Sequence, residues 1–241
     1  MSSTRELRNG ANALVEFHRL MEARSLTPEL ATGLASAAAD TLLAQHTTSG
    51  HSLRDAVTLL CELSSLDDPA LAQIGVHGLF PSLVEPLGDA FTPEACAVYN
   101  QLFAQVIQHC RKQPGGEAID CSLLHFGLVT AADLLARAVR VRVPRRFDNA
   151  RARRVKKAVV LSRVTLGADV AVTSVVLAAL KAVLPTAEIR LVANARTLQL
   201  FAGDPRVQLC AIEYPRGGGL IKRLTSWQCA VEALRQETFG L

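Results

Sequence analysis

Apolar positions recur at helical spacing from residue 3 to about residue 136, then give way to short β-branched runs after Lys156. Ser3 and Glu6 have the spacing of a capping box, and Leu7, Ala11, Leu14, Phe17 and Met21 follow on one helical face. Thr27-Pro28-Glu29 sets a cap, an N1 proline and an early acid in order, and predicts a helix through Leu30, Leu34, Ala38 and Leu42. Ser52 with Asp55 opens another to about Leu63, and Asp68-Pro69 a shorter one. Thr92-Pro93-Glu94 repeats the start signal for a helix carrying Cys96, Tyr99, Phe103, Val106 and His109. Pro114-Gly115-Gly116 breaks the pattern, and Thr130 with Asp133 caps the last helix of this region. No fixed period stands behind the repeated T-P-E signal, which favours an irregular bundle over a solenoid.

Val139 to Arg146 alternates apolar and basic residues and reads as a short extended connector. The pattern beyond it is that of an α/β unit. Ala158 to Leu161 is a strand, a turn follows at Leu166 to Asp169, and a helix apolar on nearly all sides runs from about Val170 to Leu184. Such a helix suits a place between a sheet and another layer. Glu188 to Val192 and Val207 to Ile212 are further strands, separated by a short helix from Ala195 to Phe201 and a turn at Gly203-Asp204-Pro205. A last helix spans Ile221 to Glu237. Alternation at this spacing predicts a parallel sheet with helices on its faces. The expected fold class is therefore α/β plus all-α: a helical domain over 1–144, a basic linker over 145–156, and a partial Rossmann-like unit over 157–241. Three strands are few for a doubly wound domain, so the chain is expected to be a piece of a longer protein.

Composition supports packed structure, with 49% hydrophobic and 20% charged residues. The net charge of +4 conceals a basic stretch from Arg137 to Lys157 in which Asp148 is the only acid. Phe147 is its only aromatic, too few for base stacking, so no nucleic-acid partner is expected. The six cysteines form no C-x-x-C pair and match no zinc spacing, and reduced thiols are expected. The six histidines are scattered, without H-x-x-x-H or H-E-x-x-H, and Trp227 and Tyr214 read as packing residues. Neither a metal site nor a cofactor is expected. No apolar run reaches the roughly 18 residues of a membrane span, and the polar start MSSTRELRNG is no signal peptide, so a cytoplasmic location is expected.

Sites in open α/β sheets lie beyond the C-terminal ends of the strands. Here that edge carries Ser162 to Asp169, then Ala193-Asn194, then Glu213 to Lys222. The first loop is neither a P-loop nor a dinucleotide fingerprint, since G-K-[ST] and G-x-G-x-x-G are both missing. Gly167 permits a tight turn, and Asp169 falls at the start of the next helix. Spacing leaves two roles open for that carboxylate: an N-cap, or a base facing a crevice.

The ensemble resembles family 9 glycosyltransferases, the heptosyltransferase-like enzymes, over roughly residues 157 to 237. That family has a first strand, a loop of the type R-x-S-x-G-D-[VI]-x-x-T, and a helix ending near proline. Here the loop reads Arg163-Val164-Thr165-Leu166-Gly167-Ala168-Asp169-Val170-Ala171-Val172-Thr173, with Ala168 between the glycine and the acid that adjoin in the family. Ala187-Glu188-Ile189, Asp204-Pro205-Arg206-Val207 and Ile212-Glu213-Tyr214 follow in the family's order. The resemblance implies the acceptor-side half of a GT-B enzyme that is inverting and metal-independent. Its partners would be a nucleotide-sugar donor, held by a further domain, and an anionic glycan or lipid-linked acceptor of lipopolysaccharide type. It also allows peripheral attachment at the inner membrane face.

By the same resemblance Asp169 would be the general base. Arg163, Thr165 and Gly167 would border the acceptor cleft, and Arg216, Lys222 and Arg223 would meet acceptor phosphates. This segment alone would be inactive. The alternative is a non-catalytic scaffold or binding protein in which the helices make the contacts and the Rossmann unit is degenerate.

Overall fold

The computed structural model describes residues 10–44, 50–143, 148–162, 169–213 and 218–235. The chain divides into two compact units, Met1–Val143 with Gly219–Ile221 and Pro144–Gly218 with Lys222–Leu241.

The first unit is helical: α1 (Gly10–Glu22), α2 (Pro28–Ala44), α3 (Gly50–Ser64) and α4 (Pro69–Leu79), then a π-helical segment Phe80–Val84. α5 (Glu85–Asp89), α6 (Pro93–Cys110), α7 (Glu117–His125) and α8 (Ala131–Arg142) complete it. The expected caps do their work. Asp68 accepts from the amides of Ala70 and Leu71, Thr92 accepts from Ala95, and Thr130 and Asp133 form a reciprocal capping box. α3 is the hub, with Val57, Leu59, Leu60 and Leu63 almost wholly shielded from solvent, and it packs on α1, α2, α4 and α6. α4 approaches α3 closely because Gly75 lacks a side chain: a Cβ there would lie 2.4 Å from the Ser64 amide nitrogen. Burial pushes the Cys61 thiol up and the Cys110 thiol up to about 12, which keeps both protonated and inert.

The second unit contains α9 (Asn149–Arg154), β1 (Lys157–Leu161), a π-helical turn Asp169–Thr173, α10 (Ser174–Val183), β2 (Glu188–Ala193), α11 (Ala195–Phe201), β3 (Val207–Ala211) and, from Lys222 on, α12 (Leu220–Arg235). The sheet is parallel in the order β1-β2-β3, pairing Lys157 with Glu188 and Ile189 with Val207. The pleat sends alternate β2 residues to opposite faces. Ile189, Leu191 and Ala193 pack with Leu177 of α10 and Leu198 of α11. Val192 packs on the other face with Ile212, Trp227 and Ala230. Both faces of the central strand are covered, as a parallel sheet demands. Arg206 donates to the carbonyls of Lys181, Leu184 and Ala187, satisfying groups that the end of α10 leaves open.

Several sequence expectations are corrected. Val139 to Arg142 continue α8 instead of forming an extended connector. The capping box starts that helix, and Arg140 and Arg142 in its last turn favour the helix dipole. The basic linker contains α9, whose Ala152 is buried with Leu184 and Ala187. α3 starts at Gly50, before the expected cap Ser52. α10 is not wedged between two layers: Leu177 is its one buried residue, while Val175 and Val183 are 63% and 52% exposed. The Ser3–Glu6 capping box and Tyr214 lie outside the described residues. Among those residues, no helix is long and apolar enough to cross a membrane.

Candidate functional site

A parallel sheet gathers the C-terminal ends of its strands at one edge. Here the ladder continues one residue past β1 and β3: Ser162 donates its amide to the Val192 carbonyl, and Ile212 to that of Ala193, both at 2.9 Å. After β2, Asn194 caps α11 by accepting from the Thr197 amide at 3.1 Å. That cap fixes the first turn of α11 and with it the Thr197 side chain.

Asp169 lies among these segments and is 0% exposed. Its Oδ1 accepts from Ser162 Oγ at 2.5 Å and Thr173 Oγ1 at 2.8 Å, and its Oδ2 accepts from Thr197 Oγ1 at 2.5 Å. Ser162, Thr173 and Thr197 are themselves buried. A carboxyl group taken from water needs such partners. One side chain thus ties the end of β1, the start of the following helix and the first turn of α11. It also anchors the residues on both sides of segment 163–168.

This geometry corrects the expectation of a carboxylate facing an open crevice. Among the described residues the partners of Asp169 are hydroxyls, not the amides of a helix start, so it is not a simple N-cap either. The helix begins with a π-turn at Asp169 itself, which puts Thr173 Oγ1 within reach of the carboxylate.

Lys222 and Arg223 stand in the first turn of α12, and Arg223 Nε donates to the Gly218 carbonyl at 3.3 Å. Gly218 has φ +90°, a left-handed conformation that favours glycine. The structure therefore forms two clusters, one around Asp169 and one of Gly218, Lys222 and Arg223. Arg163, Thr165, Gly167 and Arg216 lie outside the described residues.

No protein-family model, curated protein or solved structure matches the chain. Among the described residues, no group of three or more His, Cys, Asp or Glu side chains could hold a metal ion.

Sequence reasoning missed Ser162, Thr173 and Thr197 as partners of Asp169. Signals for two of them were present. Thr173 is four residues after Asp169, one helical turn on, and Thr197 sits three residues after a capping asparagine. The meeting of α11 with the first βα junction is long-range and leaves no local trace.

Asp204 is a third titratable feature of the unit. Its carboxylate takes a hydrogen bond from Lys181 Nζ and another from the Arg206 amide, and the Lys181 bond chiefly holds it below the usual carboxylate range.

Proposed function

We propose that residues 157–235 are the acceptor-side half of a glycosyltransferase similar to family 9, using a nucleotide-sugar donor held elsewhere and an anionic glycan or lipid-linked acceptor. The observation that carries this reading is one of placement. The strands that carry the resemblance are parallel, so Ser162, Asn194 and Ile212, which follow β1, β2 and β3, lie at the sheet edge where open α/β folds bind ligands. Lys222 and Arg223 would supply cations for acceptor phosphates, at a helix start whose own dipole also favours anions.

Within this reading Asp169 is a positioning residue. It holds the residues on both sides of segment 163–168, and proton removal from an acceptor hydroxyl at that carboxyl group would require the buried side chain to become accessible. Transfer would be inverting: the acceptor hydroxyl attacks the anomeric carbon as the bond to the donor's phosphate oxygen breaks, the hydroxyl proton passes to a base, and the nucleoside phosphate leaves.

The test is sugar transfer by the full-length protein, using a panel of labelled nucleotide sugars and a phosphorylated lipopolysaccharide core acceptor. Asp169→Asn and Thr197→Val are compared with wild type. If Asp169 only holds the first βα junction together, both variants lower the rate and leave the pH profile in place. If it also serves as the base, Asp169→Asn alone removes the basic dependence. Absence of transfer from every donor by the wild-type protein would reject the reading.

The complete burial of Asp169 favours a second reading, a binding or scaffold protein whose Rossmann-like unit has kept its architecture and lost catalysis.

A further inference from the structure

A separate cavity of about 250 Å³ lies wholly in the first unit, between α2, α4 and the π-helical segment. Four polar side chains converge on it: Ser36 from α2, Gln73 and His77 from α4, and Ser82 from the π-helical segment. Ser36, Gln73 and His77 are exposed and Ser82 is half-buried, so the cavity is open to solvent, and among the described residues none of the four side chains makes a hydrogen bond to protein. Thr32 also lines it, but its hydroxyl proton is committed to the Pro28 carbonyl at 2.8 Å. The remaining wall is Ala35, Ile74 and Gly78. Gly78 lets α4 sit close enough to form that wall, since a Cβ there would lie 2.8 Å from Leu60 Cδ2 and 3.1 Å from Ala35 Cβ. The π-helical turn that delivers Ser82 is a rare element, and π-turns recur at binding sites.

The lining has no Lys, Arg, Asp or Glu. A phosphate or carboxylate would find no cation there, and an amine no acid. Two hydroxyls, an amide and an imidazole offer both donors and acceptors. A ligand matching them must both donate and accept at several points, carry no charge, and present an apolar face to Ala35, Ile74 and Gly78. A polyhydroxylated ring does this: its hydroxyls lie at the rim and its C–H bonds form a face. The volume lies just below the roughly 300–1,000 Å³ of drug-sized pockets, which suits a single ring. We infer that this cavity is a binding site for one neutral monosaccharide or cyclitol unit, with Ser36, Gln73, His77 and Ser82 as its hydrogen-bonding residues. The site is independent of the transfer reading and stands or falls without it.

The experiment is an amide-shift titration of the isotope-labelled full chain. The probes are D-glucose, D-mannose, D-galactose, N-acetyl-D-glucosamine and myo-inositol, with inorganic phosphate and cyclohexanol as the anionic and apolar counterparts. At least one polyol should give saturable shifts confined to residues 32–36 and 73–82. Ser36→Trp, which fills the mouth from an exposed position, should abolish them. Gln73→Leu should weaken binding about tenfold, or ~1.4 kcal/mol. Thermal melts check that both variants fold, and if Ser36→Trp does not, Gln73→Leu and Ser82→Ala carry the comparison. The inference is overturned if no polyol saturates at these residues, if phosphate or cyclohexanol binds there in their place, or if the folded variants bind as wild type does.

Discussion

Replacing Thr197 by Val removes one hydroxyl from the Asp169 cluster and changes little else. The side chain keeps its shape, the position is 1% exposed, and the Thr197 amide stays bonded to Asn194. Among the described residues Thr197 is the only hydroxyl donor to Oδ2, while Oδ1 has two, Ser162 and Thr173. A buried acceptor left without its donor costs about 1–3 kcal/mol, and among the described residues Oδ2 would have no replacement donor. Thr173→Val leaves Ser162 on Oδ1, so its cost should fall to about 0.5–1.5 kcal/mol. The chain has a single tryptophan, Trp227, and it packs against Val192, Ile212 and Ala230. Its fluorescence during urea unfolding therefore reports the second unit alone. The account requires Thr197→Val to be the more costly of the two. A Thr197→Val protein within about 0.5 kcal/mol of wild type, the usual range for inconsequential surface changes, would refute the cluster's structural role.

Two glycines should respond in opposite ways when changed to alanine. Gly75→Ala places a Cβ against the Ser64 amide and should destabilise the first unit by at least about 1 kcal/mol, whereas Gly33→Ala in α2 meets nothing within 4 Å and should stabilise it by about 0.5–1 kcal/mol. Circular dichroism melts of the two variants decide this, and equal shifts would contradict the packing described. Asp204→Asn removes a carboxylate whose pKa is depressed, so the stabilisation it confers is present above its unfolded pKa of about 3.9 and lost as pH falls through the folded value. The gap between variant and wild type, read by Trp227 fluorescence, should be full at neutral pH and close in acid; a gap constant with pH would remove the Lys181–Asp204 pair from the account. A thiol reagent applied to native protein should label the exposed Cys96, Cys121 and Cys229 well before the buried Cys61 and Cys110, as read by peptide mass spectrometry.

Much of the architecture was legible because local signals carried it. The caps at Asp68, Thr92 and Thr130 announced their helices, and the alternation of β-branched runs with helical stretches announced a parallel sheet. The failures have a common cause. Val139 to Arg142 alternates like a strand, yet a capped helix already under way continued through it. The uniformly apolar character of α10 said nothing about how many of its sides would be covered, and only Leu177 is buried. The site divides the same way. That Asp169 stands at the first βα junction was visible in the sequence; that three hydroxyls from separate segments enclose it depends on long-range packing.

The most direct test of the acceptor-side reading is an amide-shift titration of the full chain with phosphorylated sugars, namely mannose 6-phosphate, glucose 1-phosphate and a phosphorylated lipopolysaccharide inner-core oligosaccharide. The account predicts saturable shifts at Ser162, Asn194, Glu213, Lys222 and Arg223. They should weaken with added salt and vanish in a Lys222→Gln, Arg223→Gln double variant. Shifts absent from that edge with all three ligands, or unaffected by the double variant, would contradict it.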